Sequence, residues 1–255
     1  MKNTVLHYEE LGDPTLPPLI IVHGFFASAR NWRHIATQLA QQYRVFTLDM
    51  RNHGASPAAE PMDYPAMAED LRGFIVDQDL GSVSLLGHSM GGKVALCFAL
   101  HYPALLQKLV IVDIAPMTYT HSFDAMINAL MALPLTDLSN RKQADDWLSQ
   151  HIVAPDFRQF LLQNLILKDG QYAWRINLAI FKRAAPAIIA FPVLAERSPY
   201  QGALLVLAGE QSDFVRADAF KPLFPHAVFQ TIPNAGHWLH VDAPDAFLNA
   251  VRAYI

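Results

Sequence analysis

Val83-Ser84-Leu85-Leu86-Gly87-His88-Ser89-Met90-Gly91 is an apolar run that breaks at once into Gly-x-Ser-x-Gly, and a helical pattern follows in which Val94, Cys97 and Phe98 share a face. Strand, sharp turn and helix form the context in which this motif carries chemistry. Its glycines let the chain turn tightly enough to hold the serine in a strained conformation with its hydroxyl exposed. Five such residues alone could be a glycine-rich turn with a solvated serine, but the flanking run and helix point to a nucleophile at Ser89.

Outward from this turn, six more short apolar runs read as strands: Val5 to Glu9, Leu19 to Val22, Val45 to Leu48, Leu109 to Asp113, Ala203 to Ala208 and Val228 to Ile232. Several are continuous rather than alternating, as expected of parallel strands buried on both faces. Amphipathic stretches lie between them. Asp63 suits the cap of a helix carrying Met67, Leu71, Phe74 and Ile75, and Pro244 suits the first turn of a helix with Phe247, Val251 and Tyr254 on one side. Strand alternating with helix predicts an α/β fold with a mostly parallel central sheet flanked by helices. From about Ala115 to Tyr200 the alternation stops. Helical patterns rich in Leu, Phe, Trp and Met succeed one another with no convincing strand, which reads as a helical insertion of the kind that covers an active site.

Bulk properties narrow the function. Of 255 residues, 52% are hydrophobic and 16% charged, so the chain can bury a large core and offer an apolar pocket. A net charge of −4, from 19 basic and 23 acidic residues without long runs, gives no footprint for a nucleic acid or an anionic membrane. Cys97 is the only cysteine, which excludes an intrachain disulfide and a multi-cysteine metal site; its apolar neighbours make it a core residue. The N-terminal residues lack the apolar stretch of a signal peptide, and no window approaches the roughly 20 apolar residues of a membrane span. The cytoplasm is the default location. Neither a metal nor an organic cofactor is called for, and no obligate protein partner is evident.

A nucleophilic serine needs oxyanion donors, a base and an acid to orient the base. The amide of Met90, opening the helix after the nucleophile, is one candidate donor. The turn His23-Gly24-Phe25-Phe26 after the Leu19 to Val22 run offers the amide of Phe25, with Gly24 letting the backbone approach. Among eleven histidines, His237 in Ala235-Gly236-His237-Trp238 lies between the last strand and the last helix, where the base of such a fold emerges. His240 reads as a packing or capping residue. Two aspartates compete for the third place. Asp113 ends the Leu109 run at the same sheet edge as Ser89. Asp213 follows the penultimate strand, the commoner location, yet the usual Gly-x-x-Asp spacing from Gly209 would put the acid at Ser212. The residues alone leave both open.

With Gly87 to Gly92, the Arg51-Asn52-His53-Gly54-Ala55-Ser56 turn, Asp113-Ile114-Ala115-Pro116 and Asn234-Ala235-Gly236-His237-Trp238 in order, the chain resembles the YbfF-type bacterial carboxylesterases of the α/β-hydrolase superfamily over nearly its full length. The resemblance implies a core domain of residues 1–116 and 200–255, a helical cap of residues 117–199 inserted after the strand ending at Asp113, and Asp113 as the working acid. Asp213 remains as an alternative or auxiliary acid. Phe25, Phe26, His88 and Trp238 are expected around the substrate. The cap supplies Phe123, Met126, Trp147, Phe157, Phe160, Trp174 and Phe181, part of which must face the cleft. The Arg51 to Ser56 turn reads as structural.

The expected activity is hydrolysis of small to medium acyl esters through an acyl-enzyme on Ser89, with a small-molecule ester or thioester as the partner. An acyl-CoA thioesterase, a carbon–carbon bond hydrolase and a perhydrolase use the same machinery and stay open. Haloalkane and epoxide hydrolases need a carboxylate nucleophile, against which Ser89 argues. A receptor-like hydrolase fold without turnover is the rival outside enzymes, and its mark would be a broken triad.

Overall fold

Residues 3–193 and 197–255 are described by the computed structural model, so Met1, Lys2 and residues 194–196 of the expected insertion lie outside the described residues. All seven expected core runs form strands: β1 (Tyr8–Leu11), β2 (Pro18–Val22), β3 (Arg44–Leu48), β4 (Val83–His88), β5 (Leu106–Val112) and, after the insertion, two more that complete the sheet. The first departs from expectation by three residues. It is the sheet's antiparallel edge, with Tyr8 opposite Leu48 and Leu11 opposite Val45, and Val5 stands exposed outside it.

Helix α1 (Arg33–Leu39) joins β2 to β3, and α2 (Tyr64–Asp77) joins β3 to β4. The carboxylate of Asp63 accepts the Ala66 amide and caps α2, with Pro65 in its first turn. Helix α3 (Met90–His101) follows β4 and is buried along nearly its whole length, Cys97 included, whose thiol burial pushes up to about 12. The Arg51 to Ser56 turn is tied down rather than open: the Arg51 guanidinium pairs with buried Asp70 at 2.6 and 2.7 Å, and Asp49 accepts the amides of Ala29 and Ala55.

The segment after β5 holds α4 (Asp124–Ala132), α5 (Arg141–Leu148) and α6 (Pro155–Leu162), then two short strands, β6 (Leu165–Lys168) and β7 (Gln171–Trp174), then α7 (Leu178–Ile189). The hairpin corrects the expectation of an all-helical insertion. Asp169 and Gly170 turn it with φ of 52° and 79°, and an Asp-Gly pair between Leu165-Ile166-Leu167 and Tyr172-Ala173-Trp174 is the sequence signal for such a turn.

Strands β8 (Leu204–Gly209) and β9 (Ala227–Ile232), followed by α8 (Leu239–Asp242) and α9 (Pro244–Tyr254), complete the core. The strand order is β1-β3-β2-β4-β5-β8-β9, with every pair after β1 parallel. The chain leaves β2 for β3 on one side and then returns to β4 on the other. The loops after β2 and β4 therefore open a crevice at the carboxyl edge, where ligands bind in open parallel sheets. Among the described residues no helix is long and apolar enough to cross a membrane.

Candidate active site

Ser89 stands between β4 and α3 with φ 52° and ψ −118°, a left-handed conformation that costs free energy for a residue with a side chain. The neighbouring glycines are needed for lack of space. A Cβ on Gly87 would lie 2.2 Å from the Gly91 carbonyl oxygen, and one on Gly91 would lie 2.3 Å from the Val22 carbonyl oxygen. The Ser89 amide donates to Val112 O at 3.0 Å, which fastens the turn to the end of β5.

One residue beyond β5, Asp113 also adopts a positive φ, 50°, and its carboxylate is wholly buried. Oδ1 accepts the Gly209 amide at 3.0 Å; Oδ2 accepts the Ser212 hydroxyl and the His237 Nδ1–H, the latter at 2.7 Å. A carboxylate accepts only, so the imidazole donates to it from Nδ1 and turns Nε2 away from Asp113. Asp213 is exposed, and the imidazole bonds Asp113 instead. Ser212, standing where the usual spacing would put an acid, serves as a donor to Asp113; that spacing was the signal for it.

The loop bearing His237 is laced to its neighbours. Glu210 and Gln211 amides donate to Ile232 and Ala235 carbonyls, the Gly236 amide donates to Asp242 Oδ2, and the buried His88 donates Nε2–H to the His237 carbonyl at 2.8 Å. Burial holds the His88 pKa well below the usual histidine range, so it stays a neutral single donor there. Phe214 packs against the His237 ring at 4.3 Å, and the Tyr119 hydroxyl holds Phe214 by its carbonyl at 2.6 Å.

His23 fixes the turn after β2. Its Nδ1–H donates to Gly24 O at 2.7 Å and its Nε2 accepts the Met50 amide at 3.1 Å, while burial lowers its pKa and keeps it neutral. Phe25 and Phe26 follow, and Asn164 donates to the Phe26 carbonyl at 2.8 Å. Met90 is the first residue of α3, whose opening amides have no intrahelical acceptor.

These parts surround one cavity of about 550 Å³. Ser89, His237, Phe25, Phe26, Met90, His88 and Trp238 all line it, as do Lys93, Tyr119, Phe214, Ile188 and Ile189. Ser89 and His237 share this wall but are not in hydrogen-bond geometry with each other in this resting arrangement; contacts of this kind commonly tighten only with substrate bound. Of the insertion's aromatics, Phe123, Phe157 and Phe160 reach the cavity together with Tyr119. Phe181 is buried and stacks on Phe25 at 4.7 Å, and Trp174 donates its indole N–H to Leu130 O instead. Met126 and Trp147 pack against the core cluster. Trp32 stacks on His240 at 4.1 Å, and burial drives the His240 pKa down to about 3. No cluster of metal-ligating side chains occurs among the described residues.

A model of the alpha/beta hydrolase fold family matches residues 17–244. The sn-1-specific diacylglycerol lipase ABHD11 of Mus musculus is 39% identical over 255 residues, covering 96% of this chain and 82% of its own length. Esterase YbfF of Escherichia coli (strain K12) is 35% identical over 243 residues, covering 94% and 92% respectively. Among solved structures, a marine microorganism esterase superposes with a TM-score of 0.94 at 36% identity, covering 99% of this chain and all of its own.

Proposed function

The chain belongs to the α/β-hydrolase fold family and is a carboxylic ester hydrolase, and we propose that it is a serine esterase with Ser89 as nucleophile, His237 as general base and Asp113 as the acid that orients it. The observation that carries this reading is the 2.7 Å bond to buried Asp113 from Nδ1 of His237, which lines the same cavity as the strained Ser89. We read residues 117–199 as a cap on a core of residues 1–116 and 200–255. Esters of small to medium acyl chains suit the apolar walls and the 550 Å³ between them.

Ser89 Oγ attacks the ester carbonyl carbon as its proton passes to His237 Nε2. The oxyanion so formed is held by the Phe25 and Met90 amides, each contributing about 3 kcal/mol. The bond to the alcohol breaks as His237 returns the proton to the departing oxygen. Water then attacks the acyl-serine, gives its proton to Nε2, and Ser89 recovers a proton as the acid leaves. Asp113 holds the imidazole in place and stabilises the transient imidazolium.

Release of p-nitrophenol from its butyrate ester, compared between the protein and Ser89→Ala, tests the reading. A fall of at least about 10⁴-fold is expected, and equal rates would remove the proposal. A butyryl thioester measured alongside ranks the thioesterase alternative.

A further inference from the structure

Lys93 lies one turn along α3 from Ser89, its amide donating to the Ser89 carbonyl at 3.1 Å. Its side chain is 1% exposed. Among the described residues no carboxylate pairs with it. Burial lowers its pKa to about 7, and Nζ instead donates to the carbonyls of Ile189 at 2.7 Å and Ala190 at 2.8 Å, with Ile188 O at 3.5 Å. Those carbonyls end α7, where a helix has unused acceptors and where a cation is favoured. Two more donors from outside α7 meet the same place: the Tyr64 hydroxyl bonds Ile188 O, and the Tyr119 amide bonds Ile189 O at 3.3 Å. The Tyr119 ring lies 4.7 Å from Nζ.

This end of α7 needs outside support. Pro186 stands in its last turn and lacks the N–H that would bond back along the helix. The cavity wall there consists of Ile188 and Ile189 from α7 with Tyr64, Lys93 and Tyr119. Three carbonyl acceptors surround Nζ, which argues against a free anion site and for a tether.

We propose that Lys93 is a specificity-determining positioning residue: by holding the last turn of α7 against the nucleophile helix, it fixes the closed end of the acyl pocket and so limits the acyl-chain length the enzyme accepts. The inference rests on the esterase reading above. It adds that chain length is set by a buried side chain whose Nζ bonds the carbonyls ending α7 rather than any triad side chain. Releasing the tether lets the α7 end withdraw and lengthens the pocket.

The test is kcat/KM for p-nitrophenyl esters from acetate to decanoate, read as the decanoate-to-acetate ratio. Lys93→Met removes the three donors and keeps the stem; Lys93→Arg keeps charge and donors; Ile189→Ala shortens the wall and leaves its carbonyl. The ratio is expected to rise at least tenfold in Lys93→Met, chiefly through a lower KM for decanoate, to rise in Ile189→Ala, and to stay within threefold of the parent in Lys93→Arg. A ratio within threefold of the parent in a folded Lys93→Met would overturn the proposal, and an unchanged ratio in Ile189→Ala would overturn it if the Met variant fails to fold. Loss of the esterase reading is separable, since Ser89→Ala would then hydrolyse every ester at the parent rate.

Discussion

At the carboxyl edge of the sheet, Asp113 accepts three hydrogen bonds in complete burial, from Gly209, Ser212 and His237. Across the cavity, Phe157 and Phe160 of α6 meet Trp238 only by ring contact, at 6.2 and 5.4 Å between centroids. The first region is held by directional bonds to a charge, which favour near-linear geometry and are lost outright when one partner goes. Apolar contact specifies shape and volume, and neighbouring side chains can take up part of a loss. Substitutions at the edge should therefore act on turnover, and substitutions in the cover on which substrates bind.

After Ser89→Ala, the largest effect should come from Asp113→Asn, which leaves the shape intact but lets the imidazole take the wrong tautomer. Turnover of the butyrate ester is expected to fall about 10³ to 10⁴-fold, against less than twofold for Asp213→Asn; the reverse ranking would break the assignment of the acid. Ser212→Ala removes one donor from a buried carboxylate, a bond of about 1.5–3 kcal/mol. It should lower kcat about 10 to 100-fold with KM little changed.

His240→Phe should alter acid stability rather than rate. The His240 pKa is about 3 in the folded chain, against an ordinary value of 6.5. Stability from its neutral form is thus complete above pH 6.5 and is lost as the pH falls from there toward 3, by at most about 1.4 kcal/mol per pH unit. Phenylalanine keeps the stack on Trp32 and cannot protonate, so urea unfolding of the variant should show a shallower decline between pH 6.5 and 4. An unchanged slope would place the acid sensitivity elsewhere, in His23, His53 or His88, whose pKa values burial also lowers. The smallest effect belongs to the cover: Phe160→Ala should raise KM for the butyrate ester a few-fold and leave kcat within twofold, since it removes contact area remote from the reacting atoms. A large fall in kcat there would blur the distinction between the two regions.

Much of the core was legible in the residues because its signals are local. The Val83 to Leu86 run before Gly87, the Asp63 cap and the Phe247, Val251, Tyr254 face each report a period or a turn spanning a dozen residues or fewer. The edge strand slipped by three residues because β1 owes its register to pairing with β3, not to its own pattern. The hairpin at Asp169-Gly170 was announced by its turn pair but drowned in a helical stretch. Lys93 and Tyr119 gave no signal at all: a lysine inside a helix reads as a solvated residue until α7 closes over it.

Periodicity, glycine spacing and chain order by themselves determined a parallel α/β sheet, a strained serine after β4 and a histidine-bearing loop before the last helix, since each follows from backbone sterics and burial within a short stretch of chain. Only the tertiary structure decided which aspartate the imidazole bonds, that Ser212 supports it, and that the buried Lys93 Nζ bonds the carbonyls ending α7. Asp113 and His237 are 124 residues apart, and such contacts depend on β5 lying beside β8 and on how the insertion folds back. Distance across a sheet edge is a property of packing, and no local pattern carries it.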